Sequence, residues 1–149
     1  MRTQVGELHQ MPLNDNEADT LFLMEVLEHL DPSFSNQVFS ELRRVIKPNG
    51  ILVITVPNEE NLNANKMACP ECGCVFHQVQ HLRSFSVDTL TTLMKTEGFQ
   101  PVFVKSLNFN DYSGDILQRI AGFLRKLLAP YRRHHSQNHH LIAIGKRVN

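Results

Sequence analysis

The run Ile51-Leu52-Val53-Ile54-Thr55-Val56 constrains the fold more than any other segment. Successive side chains of a strand point to opposite faces, so a strand that is apolar at both parities has to be covered on both. That is the pattern of a central parallel strand with helices on each side, and Ile51 to Val56 is predicted to be one. Three other runs rich in Val, Ile, Leu and Phe read as strands: Thr20 to Met24, Val102 to Leu107 and Leu141 to Gly145. Between the runs the apolar period lengthens to that of a helix. Val38, Leu42, Val45 and Ile46 recur at helical spacing within Ser35 to Ile46, and Lys47-Pro48-Asn49-Gly50 stops that helix. Ser86 is predicted to cap a second helix that buries Leu90, Leu93 and Met94 and closes at Gly98. Alternating strands and helices define an α/β sheet.

A chain of 149 residues has room for one domain. Its charge is uneven, with a net −6 over residues 1–104 and +6 over residues 105–149. The basic end is read in two ways, as a surface for an anionic partner or as counter-charge to the acidic body. Asp115 to Leu128 is strongly amphipathic, with Ile116, Ile120 and Leu124 opposite Arg119, Arg125 and Lys126. Such a helix either packs on the sheet or lies on a membrane or greasy substrate, so peripheral membrane contact is one expectation. The first ten residues lack the apolar core of a signal peptide, and Ile51 to Val56 falls far short of the ~20 residues of a membrane span. A cytoplasmic location is expected, where the three cysteines stay reduced. Nucleic-acid binding is disfavoured, because Trp is absent and aromatics do not interleave with basic residues around the cysteines.

Three stretches taken in succession carry a family resemblance: Val5-Gly6-Glu7-Leu8-His9-Gln10-Met11-Pro12-Leu13, then Asp19 to Leu30 (D-T-L-F-L-M-E-V-L-E-H-L), then Leu42 to Gly50 (L-R-R-V-I-K-P-N-G). Together they resemble the class I S-adenosylmethionine-dependent methyltransferases, near the ubiquinone-biosynthesis O-methyltransferases. The resemblance spans residues 5–106 and implies the C-terminal half of a Rossmann-like sheet: strands four to seven, the last antiparallel, with a Cys/His insertion after strand five. It implies a strand ending near Glu7 and a turn at Met11-Pro12-Leu13. In that frame 66–83 is a zinc-binding insertion and 111–139 an amphipathic helical insertion of one partial domain. Asn49 stands where the family usually has glycine. For the cofactor the resemblance implies Glu7 at the adenine amino group, Gly6 where the backbone approaches closely, and Met24 at the end of strand four. No catalytic residue is assigned.

The family's G-x-G loop has no counterpart, since no G-x-G occurs among the seven glycines. The resemblance places that loop upstream of Val5. The expectation is a truncated methyltransferase that does not hold S-adenosylmethionine tightly by itself. Without strand one, Thr20 to Met24 is expected to be an uncovered edge that pairs with a second copy or with a complementary N-terminal half.

Cys69, Cys72, His77 and His81 follow C-x2-C-x4-H-x3-H, four ligands able to close a tetrahedron around zinc. Cys74 is an alternative third thiolate, in which case one histidine faces the active site; a metal-free loop with hydrogen-bonded histidines is the other reading. Four protein ligands leave no open position, so this zinc would be structural and would pin the long loop after strand five. In the family it resembles, that loop borders the acceptor pocket, so the resemblance implies Arg83 or His81 near the methyl acceptor. Glu25, Glu28 and His29 form E-x-x-E-H, which resembles the divalent-metal site of the ubiquinone-biosynthesis enzymes. On a helical turn the three share a face; a solvated acidic turn is the alternative. Two functions compete: methyl transfer to a small-molecule acceptor, and a non-catalytic, zinc-stabilised interaction module or half of a split enzyme.

Overall fold

The computed structural model describes residues 3–108 and 139–148. Among these, strands β1 (Ala18–Met24), β2 (Ile46–Pro57), β5 (Phe99–Asn108) and β6 (His139–Arg147) form one sheet in the order β1-β2-β6-β5. β1 runs parallel to β2, whereas β6 is antiparallel to both of its neighbours, β2 and β5. All four predicted strands are present. Strands β3 (Lys66–Ala68) and β4 (Val75–His77) make a separate two-stranded hairpin. The amphipathic segment Asp115 to Leu128 lies outside the described residues.

Helix α1 (Pro32–Val45) begins three residues before its predicted start. Asp31 caps it, accepting from the Ser33 and Phe34 amides at 2.9 and 3.1 Å, and Pro32 takes the first turn, where a missing N–H costs nothing. The apolar period alone does not show this start. Helix α2 (Val87–Thr96) has the predicted cap: Ser86 and Thr89 exchange backbone and side-chain hydrogen bonds, and Gly98 ends the turn at φ +77°. Asn49 adopts φ 64°, a conformation glycine takes readily and asparagine tolerates, which is how it serves where glycine is usual. Gly50 cannot be exchanged so easily. A Cβ there would lie 2.9 Å from the Lys47 carbonyl and 3.0 Å from that of Asp19.

Both described helices lie on one face of the sheet. Phe39 of α1 meets Phe99 with ring centroids 6.2 Å apart, Arg43 donates to the Glu97 carbonyl at 2.7 Å, and a Cβ on Gly145 would reach Met94 of α2. Under them Leu23, Leu52, Ile54, Val56, Leu141 and Ala143 are buried. The opposite parity, Ile51, Val53, Ile142 and Ile144, is only half-buried, and Phe22 and Met24 are 64% and 50% exposed. Thr55, the one polar residue of the central run, is buried for a reason the sequence does not display: its carbonyl and hydroxyl accept from the Glu25 amide at 2.9 and 3.2 Å, holding the turn that follows β1.

Residues 3–14 are tied to α1 rather than to the sheet. Glu41 accepts from the Met11 amide at 2.7 Å and is gripped by Arg44 at 2.7 and 2.8 Å. Hydrogen bonds from Arg44 hold the Glu41 carboxyl below its ordinary range. No helix among the described residues is long and apolar enough to cross a membrane.

Candidate functional site

In parallel α/β sheets ligands bind outside the carboxyl ends of the strands. Here those ends are Met24 of β1 and Pro57 of β2, and the residues just beyond them meet the segment that follows the hairpin. After Met24 the chain turns at Glu25 (φ 52°) into a 3-10 turn, Leu27–His29. After Pro57, Asn58 bridges to Phe85 and the Glu59 amide donates to the Phe85 carbonyl at 2.8 Å. The Leu82 amide donates to the Glu28 carbonyl at 2.8 Å, drawing His81 over the ends of both strands.

A group of imidazoles and carboxylates results. Glu60 is its hub: His81 Nδ1 donates to Glu60 Oε2 at 2.5 Å, and His77 Nε2 lies 3.5 Å from Glu60 Oε1. His77 Nδ1 accepts from the His81 amide at 3.1 Å, which places the His77 proton on Nε2. His29 Nδ1 donates to the Gln80 carbonyl at 3.3 Å. The Nε2 atoms of His29 and His81 are thereby left as lone-pair acceptors, and the rings meet edge to face at 4.6 Å. Between them stands Glu28, 1% exposed, with Oε1 3.9 Å from His81 Nε2 and neither oxygen hydrogen-bonded. Burial pushes its carboxyl pKa up. Three acceptors facing one another without a donor can take a proton, an acceptor hydroxyl or a cation. The nearby Arg83, stacked on Phe85 at 4.8 Å, keeps one buried Nη1 without a partner.

The structure redistributes the sequence-derived metal sets. Cys69, Cys72 and Cys74 lie together in the turn between β3 and β4, while His77 and His81 group with Glu60 at the other end of the hairpin. The tetrahedron of Cys69, Cys72, His77 and His81 is therefore not assembled, because His77 is drawn inward to Glu60 and is 7% exposed. Glu25 also leaves its expected group. Its positive φ breaks the helical spacing, and its carboxylate pairs with His140 Nδ1 at 3.1 Å, so His81 takes its place beside Glu28 and His29. Glu60 was not foreseen; its one signal is an acidic residue just past the carboxyl end of the central strand.

The cofactor candidates are divided as well. Gly6 and Glu7 line an open concavity of about 340 Å³ with Leu8, Met11 and Pro12, whereas Met24 sits on the sheet. Glu7 lies in a turn closed by a bridge to Gln10, not at the end of a strand, and its exposed carboxylate faces His9 at 3.3 Å. A Cβ on Gly6 would come within 2.3 Å of Pro12 Cδ, so the chain's own proline already requires glycine there.

A methyltransferase-domain family model matches residues 1–54. A probable S-adenosylmethionine-dependent methyltransferase of Mycolicibacterium smegmatis is 30% identical over 95 residues, 64% of this chain and 34% of that protein. These similarities support a place among the class I S-adenosylmethionine-dependent methyltransferases. Solved methyltransferases share its fold at low identity. One from Methanosarcina mazei superimposes with a TM-score of 0.62 at 13% identity, over 97% of this chain and 66% of that one. The 1,6-didemethyltoxoflavin N1-methyltransferase of Burkholderia thailandensis, solved with its substrate and S-adenosylhomocysteine, gives 0.61 at 13% identity over 95% of this chain and 48% of that one. The chain spans about a third of the length of the M. smegmatis relative.

Proposed function

We propose that this chain supplies the carboxyl-terminal half of a methyltransferase sheet and carries the methyl-acceptor side of its active site, for a small-molecule acceptor. The observation that supports this most is the Glu28, His29 and His81 group beyond the carboxyl ends of β1 and β2. S-adenosylmethionine, when bound, would supply an electrophilic sulfonium methyl for transfer to the acceptor atom, with sulfur keeping the old bonding pair. His81 Nε2, oriented by Glu60, takes the proton released by the acceptor. The same acceptor trio would suit a divalent cation, held by two imidazoles and one carboxylate. The exposed Glu7 carboxylate, in the concavity shared with Gly6, fits an adenine amino donor, and Met24 would border the cofactor from the end of β1.

Among the described residues, the half-covered face of the sheet and the edge position of β1 favour a complementary N-terminal segment or a second copy of the chain as partner. A cytoplasmic setting suits its reduced cysteines. The non-catalytic reading, a zinc-stabilised interaction module, draws on that same edge and on the hairpin. Calorimetric titration of the full chain with S-adenosylhomocysteine separates the two. Saturable 1:1 binding that is lost in Glu7→Ala supports the enzyme half; no heat from a folded sample at millimolar ligand favours the interaction module.

A further inference from the structure

We infer that Cys69, Cys72 and Cys74 form a three-thiolate site for zinc or a similarly thiophilic ion at the tip of the β3–β4 hairpin, without His77 or His81. The inference is independent of methyl transfer.

The turn is built for convergence. The Cys69 amide donates to the Cys74 carbonyl at 2.8 Å and the Gly73 amide to the Cys69 carbonyl at 2.9 Å, so the loop doubles back on itself. Gly73 holds φ +71° with open space where a side chain would point. The three sulfurs lie within 4.8 Å of one another, and Cys72 Sγ is 3.1 Å from Cys74 Sγ. Tetrahedral thiolates at ~2.3 Å from zinc stand about 3.8 Å apart, so small side-chain rotations bring the set to bonding geometry.

The histidines are unavailable to it. Cys74 and His77 are three residues apart along an extended strand, about 10 Å at the usual rise. His77 Nδ1 already accepts from the His81 amide, and both rings address Glu60. A metal-bound imidazole normally donates through its second nitrogen, and His77 instead accepts there.

Away from the end that His77 anchors, the hairpin has little apolar burial of its own among the described residues. Its strands are three residues each, Met67, Val75 and Phe76 are exposed, and an isolated two-stranded ribbon is marginal in water. Three protein thiolates leave the fourth tetrahedral position open to solvent or an exchangeable ligand.

The test is titration of the reduced full-length chain with Co²⁺, read by sulfur-to-cobalt charge-transfer absorption, with Zn²⁺ competition for affinity. The expected result is a strong thiolate band at one ion per chain. Cys74→Ser should remove about a third of its intensity and weaken binding about tenfold or more, whereas His81→Gln and His77→Gln should leave affinity within about twofold. Far-UV circular dichroism of each variant excludes misfolding as the cause, and His81→Gln alone serves if His77→Gln does not fold. The inference is overturned if His81→Gln weakens binding as Cys69→Ser does while Cys74→Ser is silent, or if the wild-type chain shows no thiolate band.

Discussion

The two faces of the sheet come from the same strands and have different fates. On one, Leu52, Ile54 and Val56 alternate into a core closed by α1 and α2. On the other, Ile51 and Val53 stay half-buried, with Phe22 exposed beside them. Strand β2 carries the composition of a strand meant to be covered twice, and the described residues cover it once. Among the described residues the close packing is on the helix-bearing face. The open face is surface that a partner, or more of the protein, would remove from water.

Hollowing out the covered side should have the largest effect. Phe39→Ala should cost about 3–5 kcal/mol in urea unfolding, since its ring is wholly buried beside Phe99. Next comes a matched pair on adjacent residues of one strand. Ile54→Ala, pointing into the core, should lose about 2–5 kcal/mol, while Val53→Ala on the open face should lose about 1 kcal/mol or less. Equal losses would mean the open face is covered in solution.

Glu41→Gln tests how residues 3–14 are held. It should cost roughly 1–2 kcal/mol by weakening the grip on Arg44 and the Met11 amide. The pH dependence has a definite sign. Glu41 has a depressed pKa when folded, so its contribution is present above the unfolded glutamate value of about 4.3 and is lost as pH falls through the lower folded value. Urea midpoints of the wild type should fall more steeply on acidification than those of Glu41→Gln. The smallest effect on stability belongs to Phe22→Lys, on the edge strand and largely in water. It should leave unfolding within about 0.5 kcal/mol of wild type and reduce self-association in light scattering at high concentration. Unchanged association would place the contact elsewhere.

Much of the sheet was legible beforehand because it depends on local pattern. Apolar runs of five or six residues located all four strands, and Ser86 and Gly98 marked both ends of α2, since caps and left-handed closures are chemistry of single residues. The Asp31-Pro32 start is equally local, but it lies outside the apolar period. The candidate site was legible in its membership more than its grouping. Glu28, His29, His77 and His81 could all be named, but spacing along the chain joined His77 and His81 to cysteines and joined Glu25 to Glu28.

The α/β class, the strands, the caps and the set of residues able to hold protons or metal follow from period, side-chain volume and donor atoms along the chain. Which of those residues meet was decided by tertiary structure. A positive φ at Glu25 sends that carboxylate to His140, and Glu60 draws two imidazoles inward from the end of a short hairpin. Burial decides the rest: a carboxylate such as Glu28, shut away from water without a donor, can acquire its character only from neighbours distant in sequence.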